Sequence, residues 1–227
     1  MRWSKDDWLA DLLGKSCFNL VADHSPDIRI PPIKLDAPAF LSAKVDVTKP
    51  GLISMLEKDG FSLSATALTL TADNYLPEAT KARLARPDDE PAVRNIAATA
   101  FSETRFHCDP CIPVQTADRI KEEWAANYFS GNRGDSMIVV EDEGSVAGFL
   151  LAIKQPDNFV IDLIAVGTSA RNKGYGKAMI DRLGEHYGSP GLSIRVGTQL
   201  SNTRSLEFYQ KLGFRLTSAH YMFHKHI

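Results

Sequence analysis

The 227-residue chain predicts an α/β fold: a mixed central β-sheet flanked by helices, with a smaller, degenerate α/β half at the N-terminus. Three observations carry this. Apolar strand-like runs alternate with helix-period segments through the second half, the pattern of βα units. One such run, residues 159–166, feeds Arg171-Asn-Lys-Gly-Tyr-Gly-Lys177 and then a helix. A strand–helix–Gly-Phe–strand unit also occurs once in each half. A boundary near residue 80 divides the chain into 1–80, the degenerate half, and 81–227, the half with the candidate chemistry.

In the first half, Ser4 with Asp7 reads as a helix N-cap ahead of Trp8, Leu9, Leu12 and Leu13, and Gly14 stops that helix. Residues 24–39 are proline-rich and read as loop or edge. A compact pattern follows: strand 42–47, helix 50–58, Gly60 as C-cap, and strand 62–70 with alternating apolar residues. Residues 72–81, around Asp73-Asn74 and Pro77, read as a linker.

In the second half, 82–86 is a short strand. Asp88 caps a helix with Val93, Ile96, Ala97, Ala100 and Phe101 on its apolar face. Residues 102–115 read as a loop and 116–129 as a helix with Ile120, Trp124 and Tyr128 on one stripe. Strands 137–141 and 146–154 flank the turn Asp142-Glu-Gly-Ser145. Then come strand 159–166, the glycine loop, helix 174–187, strand 192–198, helix 202–212, and strands near 215–218 and 221–224. Lys44-Val45 … Leu56-Glu-Lys-Asp-Gly60-Phe61 echoes Arg195-Val196 … Tyr209-Gln-Lys-Leu-Gly213-Phe214, with two residues fewer in the first copy.

Composition narrows the function. The net charge of −2 offers no basic field for nucleic acid. No apolar run approaches the roughly 18 residues of a membrane helix. Lys5, Asp6 and Asp7 precede any apolar stretch, which does not suit a signal peptide. Three cysteines are too few for a disulfide scaffold. These features set a cytoplasmic enzyme as the expectation. Cys108-Asp-Pro-Cys111 beside His107 has the look of half a metal site. A zinc site needs about four ligands, and no second C-x-x-C or H-x-x-x-H accompanies it, so no metal is assigned.

The glycine loop points to a phosphate ligand. Gly174 and Gly176 carry no Cβ, so the backbone can approach a ligand closely. The following helix aims its unpaired N–H groups and the positive end of its dipole at the same place. Arg171, Lys173 and Lys177 are expected to add positive charge. The Arg-x-x-Gly-x-Gly spacing matches neither the dinucleotide fingerprint nor the P-loop. It resembles the acetyl-coenzyme A loop of the GNAT superfamily of N-acetyltransferases. That resemblance implies acetyl-coenzyme A as co-substrate. Its pyrophosphate would lie against Arg171, Asn172, Lys173, Gly174, Tyr175, Gly176 and Lys177. Its pantetheine arm would pair with backbone near Ile164 and Val166 of a strand that splays from its neighbour.

A second segment, Asn202-Thr-Arg-Ser-Leu-Glu-Phe-Tyr209-Gln-Lys-Leu-Gly-Phe214, also resembles this superfamily. There the tyrosine hydroxyl sits beside the thioester sulfur, which makes Tyr209 the candidate general acid. By itself Tyr209 reads as a packed aromatic beside Leu206 and Phe208; the motif is what gives it the catalytic reading. Asn202 is a helix N-cap, a cofactor contact, or both. No general base is legible: Asp162 either takes the proton, faces solvent or pairs with a cation, and a water relay stands beside it.

Ala100-Phe-Ser-Glu-Thr-Arg105-Phe106, Arg195-Val-Gly-Thr-Gln199 and Ser218-Ala-His-Tyr221 resemble segments of superfamily members that acetylate a nucleotide-linked 4-amino-4,6-dideoxyhexose. This implies a small-molecule acceptor, a nucleotide-linked amino sugar, met by Thr104, Arg105, Phe106 and Gln199. Arg105 is either a phosphate clamp or an ordinary loop ion pair. A free small amine, antibiotic or peptide acceptor, or a non-catalytic acetyl-coenzyme A module, are the alternatives. A homodimer is left open.

Overall fold

The computed structural model describes residues 1–21, 29–35, 38–187 and 193–227. Residues 24–28 and 36–37 of the proline-rich stretch, and Leu192 at the expected start of a strand, lie outside that set. In chain order the elements are β1 (Arg2–Lys5), α1 (Asp7–Leu13), β2 (Ser16–Val21), β3 (Ala39–Asp46), α2 (Pro50–Lys58), β4 (Ser62–Ala72), β5 (Arg83–Leu84), α3 (Glu90–Ala100), α4 (Val114–Phe129), β6 (Ser136–Asp142), β7 (Ser145–Lys154), β8 (Asn158–Val166), α5 (Tyr175–Tyr187), β9 (Ser193–Gln199), α6 (Thr203–Lys211) and β10 (Arg215–His226). The described strands form one mixed sheet, ordered β1-β2-β3-β10-β4-β9-β8-β7-β6-β5.

The helices form where the spacing places them, and their caps show why. Gly14 takes a left-handed φ of 64° and ends α1. Asp6, not Ser4, caps α1: its carboxylate accepts from Leu9 N at 3.0 Å, while Ser4 belongs to β1. Likewise Asp89, not Asp88, anchors the turn before α3, accepting from Arg86 N at 2.7 Å. Asp89 also takes both guanidinium nitrogens of Arg83, so β5 and α3 start from one ion pair. Strands β1 and β2 are short, and half of their residues are polar, so their period-2 signal is weak. They form because β2 pairs parallel to β3 and β1 antiparallel to β2.

Helices cover both faces. Met179, Ile180 and Leu183 of α5 and Tyr209 of α6 pack on Leu70, Ile138, Leu150, Ile161 and Val196. Val93, Ile96 and Ala97 of α3 and Ala125 and Tyr128 of α4 pack on Val139, Phe149, Leu151 and Leu163. Leu52 and Leu56 of α2 pack on Leu41, Ala43, Val45 and Phe223. Each aliphatic side chain buried this way contributes ~1.5–3 kcal/mol of transfer free energy. The turn between β6 and β7 has Glu143 at φ 50° and Gly144 at φ 79°, the left-handed pair a two-residue hairpin needs.

The C-terminal segment is one strand, not two. β10 runs through residues 215–226 and absorbs irregularity at two register shifts, Leu216/Ser218 and Met222/Phe223. It lies between β3 and β4, antiparallel to both. A C-terminal strand is thus held on both sides by strands of the first 80 residues.

Candidate active site

The site begins where two parallel strands part. β8 and β9 pair from Asn158↔Ser193 to Ile161↔Val196 and no further. β8 continues against β7 as far as Val166↔Gly148. β9 continues against β4 as far as Gln199↔Ala67. The facing edges from Leu163 to Val166 and from Gly197 to Gln199 are therefore left without a strand partner.

A one-residue bulge lies where they part. Leu151↔Leu163 is followed by Ala152↔Ile161, so Asp162 has no partner in β7. An extra residue reverses which face the later side chains take. Phe159 and Ile161 lie in the cluster under α5 and α6, whereas Leu163 and Ala165 lie in the one under α3 and α4. Ile164 and Val166 then pack on the α5 and α6 side, at the open edge where the sequence places them.

The glycine loop sits at the end of β8. Asn172 and Gly174 are left-handed, at φ 67° and 80°. A Cβ on Gly174 would meet nothing within 4 Å, so open space lies beside that backbone. A Cβ on Gly176 would stand 2.8 Å from the Phe208 ring, so this glycine also lets α5 and α6 approach. α5 starts at Tyr175 and presents its first N–H groups there.

The lysines do not line the loop as free charges. Lys173 pairs with Asp142 at 2.6 Å, and the Tyr175 hydroxyl donates to the same carboxylate at 2.8 Å. Lys177 pairs with Asp181 and Glu78. These ion pairs hold the loop to the β6–β7 turn and to Glu78. Arg171 reaches the carbonyls of Val166 and Ala100, both at 3.4 Å. The sequence reading missed Arg204, which donates to the Asn172 side chain at 2.8 Å and ties α6 to the loop.

Asn202 caps α6, accepting from Ser205 N at 3.1 Å. Tyr209 is 3% exposed and packs between Phe208 and Phe214. Burial pushes its phenol above the ordinary tyrosine value, which keeps it protonated at neutral pH.

On the other side of the sheet, Asp162 is a hub. It accepts from Trp124 Nε1 at 2.7 Å, the Tyr128 hydroxyl at 2.8 Å, and Arg133 through Nε at 2.6 Å and Nη2 at 2.8 Å. Burial opposes its ionisation, but the Arg133 pair and these donors win and hold its carboxyl below the usual range. Of the options the sequence left open, the structure selects pairing with a cation.

Arg105 contacts His224 Nε2 at 3.1 Å and stacks 4.2 Å over the Phe106 ring. Among the described residues no carboxylate pairs with it, and burial brings its guanidinium down to about 10. Lys121, which sequence reasoning passed over, is 8% exposed. Its ammonium lies 4.5 Å from the Trp124 ring and 5.3 Å from Phe101. Burial, then the Arg105 charge, lower it to about 8. Only its place on the apolar stripe of α4, next to Ile120, could have flagged it. Thr104 bonds the His107 ring at 2.6 Å. Phe106 is 2% exposed and packs with Leu9, Phe40 and Ile120, so its expected acceptor-side position is corrected to the core. Gln199 ends β9 with its side-chain oxygen buried and unpartnered. A surface depression between α3 and α4, around Arg94 and Glu122, is lined by none of these residues.

Comparison with known proteins agrees with this geometry. Residues 92–214 match the model of the "Acetyltransferase (GNAT) family". Over 139 residues, 61% of this chain, the sequence is 29% identical to the spore coat polysaccharide biosynthesis protein SpsD of Bacillus subtilis, and the match spans 48% of that relative. It is 24% identical to the dTDP-fucosamine acetyltransferase of Escherichia coli over 82% of this chain and 81% of that protein. Among solved structures, a conserved protein of unknown function from Staphylococcus epidermidis superposes with a TM-score of 0.58 at 15% identity, covering 82% of this chain and 72% of its own. The splayed strands, the glycine loop and the family match over more than half of the sequence place this chain in the GNAT acetyltransferase family.

Proposed function

We propose that this protein is an N-acetyltransferase that moves the acetyl group of acetyl-coenzyme A to the amine of a nucleotide-linked amino sugar. The observation that carries the reading is the open wedge between β8 and β9 with the Gly174–Gly176 loop at its end. The residues fit such a co-substrate. The β9-facing edge of β8 from Leu163 to Val166, left without a strand partner, offers hydrogen bonds to an amide-bearing arm, and the N-terminus of α5 offers N–H groups to a pyrophosphate.

Acetyl-coenzyme A would supply an acetyl thioester. Attack by the acceptor amine forms the C–N bond as the C–S bond breaks. The amine nitrogen must lose a proton and the departing sulfur must gain one. Tyr209, kept neutral by burial, is the proton donor to sulfur. Asp162 is a poor proton acceptor, because both its oxygens already take hydrogen bonds and its carboxyl is held ionised. Water is left to take the amine proton.

The acceptor class rests on two supports. Two relatives bear names in polysaccharide and amino-sugar chemistry. Arg105 and Lys121 are inward cations with no carboxylate partner among the described residues, the arrangement a diphosphate would use. The Gln199 oxygen is suited to accept from a sugar hydroxyl. The first 80 residues form the far wall, and this division of labour is part of the proposal.

The test is thiol release with a panel of nucleotide-linked amino sugars, free amino sugars and simple amines. Nucleotide-linked substrates should be preferred. Arg105→Ala should raise their KM at least tenfold, on the scale of a lost charge-assisted bond of ~1.5–3 kcal/mol, with the KM for acetyl-coenzyme A unchanged. Equal turnover of free and nucleotide-linked amines would leave a transferase of small amines.

A further inference from the structure

We infer that Asp109, Cys111 and His226 form a binding site for one divalent cation of the zinc class, which fastens the loop before α4 to the end of β10. The sequence shows only half of this site, because the other half arrives by strand register. His224 and His226 are two residues apart on β10 and so project to the same face. Both reach one carboxylate: His224 Nδ1 lies 2.6 Å and His226 Nε2 2.8 Å from Asp109 Oδ2. The backbone N–H of Cys111 donates to Asp109 Oδ1 at 2.9 Å, which brings the thiol to the same corner. Ligand atoms of Asp109, Cys111 and His226 all lie within 4.8 Å of one another.

The nitrogen of His226 that faces Asp109 is Nε2, and it is the ring atom able to share a cation with that carboxylate. Asp109 is itself buried, and its contacts with both histidines hold its oxygens in place. A carboxylate, a thiolate and an imidazole are the donors of zinc rather than of magnesium or calcium, which take oxygen. Zinc bonds of ~2.0–2.3 Å place tetrahedral ligands ~3.3–3.8 Å apart. Asp109 and His226 already lie closer than that and must part slightly, while Cys111, exposed on its loop, can close the remaining distance. Binding releases the Cys111 thiol proton and leaves a fourth position for water. His224 is a positioning residue: it orients Asp109 and meets Arg105 through Nε2.

The test uses the full chain, stripped of metal and titrated with Co2+ and with Zn2+. One equivalent should bind, with a thiolate-to-cobalt charge-transfer band, release of about one proton per metal, and a rise in Tm. Cys111→Ser should abolish the band and weaken Zn2+ binding at least tenfold. His226→Gln should weaken it similarly, and Cys108→Ser should titrate as the unaltered protein does. Circular dichroism checks that each variant is folded. Should His226→Gln unfold, the exposed Cys111→Ser decides alone. Absence of a saturable one-equivalent site, or a band that follows Cys108 instead of Cys111, overturns the inference.

Discussion

Two strand–helix–strand units, β3–α2–β4 and β9–α6–β10, have the same backbone plan and different chemistry. Gly60 and Gly213 are both left-handed, at φ 81° and 83°. Phe61 N bonds Leu56 O as Phe214 N bonds Tyr209 O. One offset (214 − 61 = 153) relates the pairings: Ala43↔Phe223 maps onto Val196↔Leu70, and Ser62↔His224 onto Arg215↔Thr71. Each unit straddles a strand of the other, giving the order β3-β10-β4-β9. The two-residue gap suggested by aligning Lys44-Val45 with Arg195-Val196 disappears, since register matches Ala43 to Val196. What differs is α6. Asn202, Arg204, Phe208 and Tyr209 cap the helix, brace the glycine loop, abut Gly176 and supply a phenol. The same offset puts Lys49 at the N-cap of α2, where it makes no side-chain cap, and Gly51, Met55 and Leu56 within the helix. On the proposed function, a shared scaffold acquires a site through a few side chains along one helix.

The sharpest way to break this contrast is at Tyr209. Tyr209→Phe should keep cofactor affinity and lower kcat by ~10²-fold or more, the scale of a lost proton donor. Single-turnover rates with acetyl-coenzyme A and the best acceptor would show it. An unchanged chemical rate would make the two helices equivalent packing elements.

At Leu56 the effect should be on stability alone. This residue is fully buried against Leu41, Val45 and Phe223. Leu56→Ala should cost ~2–5 kcal/mol by lost transfer energy and cavity formation, read from the urea midpoint. The kcat of the folded fraction should stay within twofold. A collapse of kcat at full folding would show that the first unit takes part in the reaction.

How much was legible in the sequence follows from the range of each signal. Helix α2 was read at its observed bounds, because Pro50, the apolar spacing and Gly60 are all local. Gly174, Gly176 and the cap of Asn202 were legible for the same reason. The bulge at Asp162 was not, since it exists only as a mismatch between β7 and β8. Nor were Asp142 and Glu78 as partners of Lys173 and Lys177, since they are distant in sequence and meet them only in the fold. The strand β10 read as two pieces, 215–218 and 221–224, because Ala219-His220 between them breaks the apolar pattern. Pairing on both sides carries it through.

The smallest effect should come from Arg204, whose counterpart in α2 is Gly51. Its guanidinium is exposed and makes one hydrogen bond to Asn172. Asn172 holds a left-handed φ of 67°, a conformation that costs about 1 kcal/mol or more and persists only when neighbours enforce it. Removing the brace should let the loop sample other conformations, so part of the ordering must be regained when the co-substrate binds. A solvent-exposed bond of this kind is worth ~0.5–1.5 kcal/mol, so Arg204→Ala should weaken acetyl-coenzyme A binding by about two- to tenfold in calorimetry. The chemical step should hold its rate at saturation, because Tyr209 is untouched. Arg204→Ala combined with Asn172→Gly should regain affinity, since glycine adopts the left-handed turn without a brace. Loss of kcat with affinity intact would instead mean that Arg204 aligns α6 and its phenol, and that the loop needs no support from this helix.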